Sequence, residues 1–260
     1  MGIEKEKAVE KRKGARRRSE VPAEVRQGLN NGTLETANLV EGLVVDCGAL
    51  LGHVAPELPP EALAAVGNAQ GITRKMRLAG EMLAAQWGIG GYDRFASHAS
   101  DTVRGWAAYL MAAVPGLTLR QRLARIRVLA DDPHFAVREW AWIATRGAVA
   151  ADVHGAVRLL APWTGSDSAN IRRFAAEITR PRGVWCAHVG LLKEEPELGL
   201  PVLEPLRSDE SKYVRDSVAN WLNDAGKTRP DWVSALCSRW ARESRTPETA
   251  HVVARATRSL

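Results

Sequence analysis

A short phrase recurs four times along this chain, and its spacing restricts the possible folds more than any other feature. In each copy a polar turn precedes a β-branched residue and an arginine, and an apolar helical face follows. The four pairs are Val103-Arg104, Val137-Arg138, Ile171-Arg172 and Val214-Arg215. They lie 34, 34 and 43 residues apart, which is the period of a repeat built from two helices. Weaker copies are predicted to start at Ile72 and His251.

Each copy starts with a residue type that caps helices, namely Ser100, Asp132, Ser168, and either Ser208 or Asp209. The apolar residues that follow recur at three and four positions, as in an amphipathic helix, and only six Phe and Tyr residues are present to favour strands. Helical hairpins of this kind cannot bury their apolar faces alone, so they stack on one another. We therefore predict an all-α fold of HEAT-like hairpin repeats that form a curved solenoid with a concave face.

The repeats are expected to occupy only part of the chain. We predict a disordered basic tail over residues 1–20 and a single helical domain over residues 21–260, of which 21–91 form a less regular cap and 92–260 the repeats. Residues 1–18 contain eight Lys and Arg and three Glu, so the remainder is close to neutral within a net charge of +6. A basic face on the body must therefore come from the sorting of charges, and the tail is either an arm for phosphates or a solubilising leader.

The cysteine and histidine patterns argue against a metal or disulfide protein. Cys47, Cys186 and Cys237 are far apart and odd in number, and the six histidines show no paired spacing typical of a metal site. No stretch approaches 18 apolar residues without a charge, Gly or Pro, and the N-terminus has no apolar signal core. We therefore expect a soluble, cytoplasmic, monomeric protein without metal, cofactor or membrane contact.

The residues best suited to chemistry lie in two segments, 177–185 and 217–224. In the first, Pro181 and Gly183 interrupt a repeat helix, a break that an ordinary repeat does not need. Glu177 and Asp224 are predicted to lie in or just beyond the second helix of their hairpins. Because equivalent helices of a solenoid line the same side, two acids, tryptophans and arginines would meet in one groove.

These segments resemble the AlkC-type branch of the DNA-alkylation repair family, the AlkC/AlkD superfamily of HEAT-like DNA glycosylases. The matching phrases are Glu177 to Trp185 and Tyr213 to Asp224, and the resemblance extends over about residues 95–245. It implies excision of bases alkylated at N3 or N7 from double-stranded DNA that is bound along the concave face, in the cytoplasm at the nucleoid. It also implies that Glu177, Trp185 and Asp224 are the functional set.

The chemistry of such a reaction fits these residue types. A base alkylated at N3 or N7 is cationic and leaves without protonation, so the main need is a carboxylate beside the developing oxocarbenium sugar, which Asp224 or Glu177 would supply. Tryptophan faces attract cations, and the candidates for contact with the base are Trp185 first, then Trp140, Trp142 and Trp221. The arginines predicted to hold the DNA backbone are Arg138, Arg172, Arg180, Arg182 and Arg215.

Each of these assignments has a structural alternative. Asp224 could end a helix before Gly226, and Glu177 could pair with Arg173 or Arg180. The repeated arginines could form an Asp/Arg ladder between successive repeats instead of holding phosphates. Core positions are the more typical place for three of the tryptophans, namely Trp140, Trp142 and Trp221.

Two departures from the family pattern bear on activity. Family members usually carry Leu-Pro before the tryptophan, where this chain has Gly183-Val184, and Arg104 stands where the AlkD branch would have an acid. Three functions therefore remain open: a DNA glycosylase for cationic bases, a non-catalytic binder of damaged or branched DNA, and a protein-interaction scaffold that needs only the repeats.

Overall fold

The computed structural model describes residues 12–260, and this part of the chain contains helices and no β-strand. The predicted all-α fold of stacked helical hairpins is confirmed. The α-helices are α1 (Ala23–Asn30), α2 (Leu39–Gly42), α3 (Cys47–Val54), α4 (Pro60–Asn68), α5 (Ile72–Trp87), α6 (Tyr92–Ala96), α7 (Asp101–Ala113), α8 (Leu119–Ala130), α9 (Phe135–Ala151), α10 (Val153–Leu160), α11 (Ala169–Ile178), α12 (Gly190–Glu194), α13 (Leu200–Leu203), α14 (Lys212–Gly226), α15 (Pro230–Glu243) and α16 (Pro247–Ala256). Short 3-10 helices occupy Arg18–Glu20, Gly88–Gly91, Ala161–Gly165, Pro196–Gly199 and Glu204–Leu206. Within the described residues no helix combines the length and the apolar character needed to cross a membrane.

The four predicted copies share one turn, built from bonds between side chains and backbone. The residue six positions before the repeat arginine accepts a hydrogen bond from the backbone N–H two residues later, in the pairs His98 and Ser100, Asp132 and His134, Ser166 and Ser168, and Asp209 and Ser211. The arginine Nη1 donates to the carbonyl oxygens five and six residues earlier in all four copies, at 2.7–3.0 Å. The repeat phase taken from the sequence is therefore confirmed.

The residue that directly precedes each repeat helix lies four positions before the arginine. These N-cap residues are Ser100, His134, Ser168 and Ser211. Ser100 and Ser168 were predicted in this role. Asp132 and Asp209 lie two residues earlier than the N-cap, because their carboxylates bind the turn itself.

Two of the repeat arginines also tie neighbouring repeats together. Arg104 Nε donates to Asp132 at 2.8 Å, and Arg172 Nε donates to Asp209 at 2.7 Å. Each pair has a second bond from Nη2, at 3.1 and 2.9 Å, and all four side chains are 10% exposed or less. The Asp/Arg ladder is therefore present at these two steps.

The middle step of the ladder lacks its acid. The position equivalent to Asp132 and Asp209 is Ser166, so Arg138 has no carboxylate there. Its Nε donates instead to the hydroxyl of Tyr213 at 3.3 Å.

Six helices pack side by side in a row, in the order α5, α7, α9, α11, α14 and α16, while α8, α10, α13 and α15 pack behind it. The helices at the predicted weaker copies, α5 and α16, extend this row at both ends. Glu177 lies in α11 and Asp224 in α14, which are the first helices of their hairpins, so the prediction that second helices carry them is wrong. The β-branched residue before the repeat arginine is the third residue of its helix in every copy. Glu177 follows it within α11, and Asp224 follows it within α14.

The region before the repeats is fixed to them by polar contacts. Thr36 donates to Asp101 through its backbone N–H and its hydroxyl, at 2.9 and 2.7 Å. Arg12 donates to the buried carboxylate of Glu41 at 2.5 and 2.7 Å. Residues 1–11 of the predicted tail lie outside the part of the chain that the structure describes. The predicted domain boundaries stay predictions.

Candidate functional site

Three neighbouring cavities open along the helix row, and together we call them the front groove. The first has a volume of about 470 Å³ and lies among α5, α7 and α9. The second, of about 260 Å³, is apolar and lies in front of α9, and the third, of about 350 Å³, lies among α9, α11 and α14. Ile143 and Trp185 line the first two, and Glu139, Trp142 and Val184 line the last two, so the groove is continuous.

Two positions of the repeat helix face this groove in three of the four copies, the residue directly after the repeat arginine and the residue four further on, and in the first copy only the second of them does. Positions four apart lie on the same face of a helix. Those that line a cavity are Tyr109, Glu139, Ile143, Arg173, Glu177, Asp216 and Asn220. Among these residues only Glu177 was predicted from the sequence as a site residue, although the others occupy the same two positions of the repeat phrase.

The second cavity, which we call the indole cavity, has three tryptophans in its wall, Trp140, Trp142 and Trp185. The rings of Trp140 and Trp185 are stacked, with centroids 6.4 Å apart and an interplanar angle of 28°. Four of the seven exposed large apolar residues in the described chain also line this cavity, namely Leu39, Phe135, Val184 and Trp185. Such a concentration of exposed apolar side chains indicates a binding surface.

Trp185 lies in the loop 179–189, which follows α11, and its backbone is strained. Its φ of 66° falls in the left-handed region, and no other non-glycine residue among the described ones has a positive φ. Arg146 donates to the loop carbonyl oxygens of Arg180 and Ala187, the latter at 2.9 Å, and to that of Ile178 at the end of α11, also at 2.9 Å. A strained backbone persists only where the surrounding structure maintains it, and residues with such a backbone are concentrated at functional sites.

Gly183 closes this loop tightly. A β-carbon at this position would lie 2.7 Å from the carbonyl oxygen of Cys186, closer than real contacts allow. Although Gly183-Val184 replaces the Leu-Pro of the family pattern, Trp185 still lies in the groove, 52% exposed.

The two acids predicted to be catalytic meet through one arginine. Arg180 Nη1 donates to Glu177 at 2.6 Å, and Arg180 Nε and Nη2 lie 2.9 and 2.7 Å from Asp224 Oδ2. Ser217 donates to the other oxygen of Glu177 at 2.6 Å. Both carboxylates are buried, so the alternative that pairs Glu177 with Arg180 describes the structure.

The charges of this cluster determine the ionisation of Glu177. Burial raises its pKa, but the nearby charges of Arg173 and Arg180 and the Ser217 hydrogen bond lower it by more, and the net pKa lies below its ordinary value. Burial lowers the pKa of Arg180, and the two acids raise it by more. Glu177 is therefore a carboxylate at neutral pH and is unsuited to act as a general acid.

Glu139 lines both the indole cavity and the third cavity. Its side chain is 35% exposed, which makes it the most exposed carboxylate in the walls of these two cavities. Trp142 Nε1 donates to its Oε2 at 2.9 Å, and Arg173 Nη2 lies 2.8 Å from its Oε1. Arg173 also lies over the ring of Tyr213, at 4.4 Å from its centroid. Two donors therefore orient this carboxylate while part of it stays open to the groove.

Two of the arginines predicted to hold the DNA backbone are already engaged. Arg172 is 8% exposed, and four of its five N–H groups donate to Asp209 and to two turn carbonyls. Arg180 is occupied by Glu177 and Asp224. These contacts favour the Asp/Arg ladder as the role of Arg172, and its contact with the DNA backbone stays a prediction.

The other three predicted arginines are partly exposed. Arg138 and Arg215 hold their turn carbonyls through Nη1, and Arg182 Nε donates to the carbonyl oxygen of Asp224 at 3.2 Å. A phosphate role for these three stays a prediction.

Trp221 does not belong to the groove, which corrects its predicted contact with the base. It is fully buried, its Nε1 donates to the hydroxyl of Thr179 at 3.2 Å, and its ring packs against Trp232. The other three predicted tryptophans line the indole cavity, although Trp140 and Trp142 are also buried in the core, as the alternative stated, and only Trp185 is exposed.

The cysteines and possible metal ligands contribute no further site. Burial raises the pKa of Cys47 and Cys237 to about 11, so both are unreactive thiols near neutral pH. Among residues 12–260 no group of three or more His, Cys, Asp or Glu side chains is placed to hold a metal ion.

The sequence is similar to part of a protein from Bacillus subtilis. No protein-family model matches the chain. The uncharacterized protein YhaZ of Bacillus subtilis (strain 168) is 34% identical over 135 residues, which cover 52% of this chain and 36% of YhaZ. The match therefore spans about a third of that relative.

Solved structures similar to this protein include those of AlkC and AlkD2. Pseudomonas fluorescens alkylpurine DNA glycosylase AlkC, bound to DNA containing an abasic site analogue, matches with a TM-score of 0.64 and 25% identity, over 82% of this chain and 60% of AlkC. AlkD2 from Streptococcus mutans matches with a TM-score of 0.55 and 22% identity, over 77% of this chain and 87% of AlkD2. The chain thus spans 60% of the length of AlkC. It has the HEAT-like helical-repeat fold of the AlkC/AlkD superfamily, and the resemblance that its sequence motifs indicated is confirmed.

Proposed function

We propose that this protein binds damaged double-stranded DNA along the front groove and excises bases that carry a cationic N3 or N7 alkyl group. The observation that carries the proposal is the indole cavity, in which three tryptophans and the Glu139 carboxylate surround one space. The similarity of the whole protein to AlkC, a DNA glycosylase whose structure was solved in complex with DNA, supports DNA as the partner.

The indole cavity suits a cationic base. Each indole face attracts a cation by about 0.5 to 2 kcal/mol, and the attraction is greatest where water is excluded. Exposed apolar side chains such as Leu39 and Phe135 would exclude water once DNA covers the groove. A neutral base would lack this attraction, so the cavity would distinguish damaged from normal bases by charge.

The carboxylate that faces the sugar is best assigned to Glu139. Departure of a cationic base leaves positive charge on the sugar, which a nearby carboxylate stabilises while it orients a water molecule for attack. Glu139 is open to the groove, whereas Glu177 and Asp224 are buried and bound to Arg180. In this proposal those two acids position Arg180 and the tryptophan loop, and Glu139 contacts the reacting sugar.

Release of free base from methylated DNA tests the proposal, with the wild type compared to Glu139→Gln, Glu177→Gln and Asp224→Asn. We expect the wild type to release alkylated base and Glu139→Gln to lose about 100-fold or more in rate while it stays folded. The two cluster variants should lose stability as well as rate. Glu24→Gln, on the exposed surface of α1, is the control. A wild type that binds methylated DNA and releases nothing would contradict the proposal.

A non-catalytic DNA binder is the second candidate, and one observation favours it. Both acids that the family resemblance marks as functional are buried and paired with the same arginine, Arg180. This candidate predicts that methylated or abasic duplexes bind, with an affinity that falls steeply as salt rises, and that no base is released. The release assay therefore separates the two functions.

A further inference from the structure

The positive charge of the folded body is concentrated on one helix, α8. Outside residues 1–18, with their eight Lys and Arg and three Glu, 28 of the 36 Lys and Arg and 27 of the 30 Asp and Glu remain, so the body is almost neutral. The 12 residues of α8 include no acid and four arginines, namely Arg120, Arg122, Arg125 and Arg127. α8 packs behind the helix row, and none of its residues lines a cavity of the front groove. The proposed excision therefore makes no use of this charge.

One of the four arginines has a structural role, and the other three point outward. Arg122 donates to three carbonyl oxygens at the C-terminal end of α7, at 2.6–2.9 Å, and these bonds fix α8 against α7. Arg120 and Arg127 are exposed, and Arg125 is partly exposed. The guanidinium group of Arg127 lies 5.0 Å from the ring centroid of Trp163, which orients it without occupying any of its N–H groups.

A second helix behind the row, α15, shows how exposed arginines are neutralised elsewhere in this protein. It contains Asp231 and Glu243, and its Arg239 forms ion pairs with Glu204 and Glu243. By contrast, no carboxylate among residues 12–260 forms an ion pair with the three outward arginines of α8. The charge of α8 is therefore uncompensated within this part of the chain.

The spacing of the exposed arginines suits a row of phosphates. Arg120 and Arg127 lie on the same side of α8, because they are seven positions apart, which is close to two full turns. They are separated by about 10 Å along the helix axis, a length over which one strand of duplex DNA carries about three phosphates. The exposed residues next to them on α8, Gln121 and Ala124, are uncharged. The two guanidinium groups are thus placed to contact the backbone of one strand.

A protein partner fits this face less well than DNA does. The centre of a protein interface is apolar and excludes water, whereas Val128 is the single large apolar residue that α8 exposes. A DNA backbone needs only cations placed against its phosphates. Charge complementarity therefore favours a nucleic-acid backbone as the partner of α8.

We infer that the outward face of α8 binds the phosphate backbone of a second DNA duplex while the front groove holds the damaged one. Arg120 and Arg127 pair with phosphates of one strand, and Arg125 adds positive charge beside them. One protein molecule then holds two duplexes, one on each side of the helix row. The inference rests on the proposed binding of DNA in the front groove and is independent of excision.

The test measures whether bound protein captures a second duplex. The protein is saturated with a duplex that contains a stable abasic analogue and is fixed to beads, and an undamaged fluorescent duplex is then added. We expect the wild type to retain the second duplex and Arg120→Gln/Arg127→Gln to retain about 10-fold less, because two phosphate contacts are lost. The slope of log affinity against log salt for the second duplex should become shallower by about 2 in this variant. Fluorescence anisotropy should show unchanged affinity for the abasic duplex.

Two further variants separate charge from side-chain shape and from position. Arg120→Lys/Arg127→Lys keeps both charges and should retain most of the second duplex. The matched control is Arg242→Gln/Arg245→Gln, which removes two exposed arginines at the end of α15 and so has the same net charge as the test variant. It should retain the second duplex like the wild type. All these variants should keep the helical circular dichroism of the wild type, because the substituted side chains are exposed.

Three results would overturn the inference alone, while binding of the abasic duplex is retained. They are no capture by the wild type, equal retention by the test and control variants, and displacement of the second duplex by polyglutamate as effectively as by unlabelled DNA, which would assign the face to an acidic protein. Failure of the wild type to bind the abasic duplex would instead overturn the proposed function, and the inference with it.

Discussion

The repeat turns and the loop 179–189 depend on the same interaction, in which an arginine donates to backbone carbonyls, but over different distances along the chain. Each repeat arginine binds the carbonyls five and six residues before it. Arg146 binds carbonyls 32, 34 and 41 residues after it. The first arrangement is local and occurs in every copy, whereas the second occurs once and fixes the loop that presents Trp185.

This difference separates the scaffold of the protein from its candidate site. A local turn can be copied into each repeat, because it needs only its own short segment. A loop that departs from the repeat has no such segment to support it, and a buried side chain from a neighbouring repeat must satisfy its carbonyls. The exposed, strained tryptophan is found only where the repeat is broken.

The largest effect is expected from Arg146→Leu. Two carbonyls of the loop and the one at the end of α11 lose a charged donor, so the free energy of unfolding should fall by about 3 to 5 kcal/mol. Affinity for abasic DNA should fall with it, even where the protein is still folded. Urea unfolding and anisotropy measure the two effects. Arg104→Leu is the control, since it breaks a buried ladder pair outside the groove and should reduce stability with little change in affinity. Equal losses of affinity in both variants would contradict the separation of scaffold and site.

Glu177→Gln should have a smaller, pH-dependent effect. The folded pKa of Glu177 is lowered, so its ionised form stabilises the fold above the unfolded pKa, near 4.3, and this contribution is lost as pH falls through the folded pKa. The variant should be less stable than the wild type by about 1 to 3 kcal/mol at neutral pH, and the gap should narrow below about pH 4. Urea unfolding across this range measures it. A gap that does not change with pH would show that the charge of Glu177 contributes nothing to stability.

The smallest effect is a gain, expected from Ser166→Asp. The new carboxylate would stand where Asp132 and Asp209 stand in the ladder and would pair with Arg138, adding about 0.5 to 1 kcal/mol. The same substitution in an Arg138→Leu background is the control, and a double-mutant cycle isolates the pair. If the gain persists without Arg138, the ladder does not explain it.

Parts of the fold and the site were predictable because they depend on neighbours in the sequence. The turn joins residues within six positions, and Glu177 pairs with Arg180 three positions later. The prediction that Glu177 and Asp224 lie in the second helices of their hairpins was wrong. The first helices of the four copies are 10 to 17 residues long, and packing sets where each one ends. Glu139 was missed as a site residue, although its position after Arg138 repeats in every copy.

By itself, the sequence determined the repeat turn and with it the stacking of all-α hairpins, since the bonds that define the turn lie within one short segment. Only the tertiary structure decided that Trp185 meets Trp140, that Arg146 holds the tryptophan loop, and that Trp221 lies in the core. These contacts join residues 32 to 45 positions apart. A pattern among neighbouring residues cannot specify which distant side chains meet, because that depends on how whole helices pack.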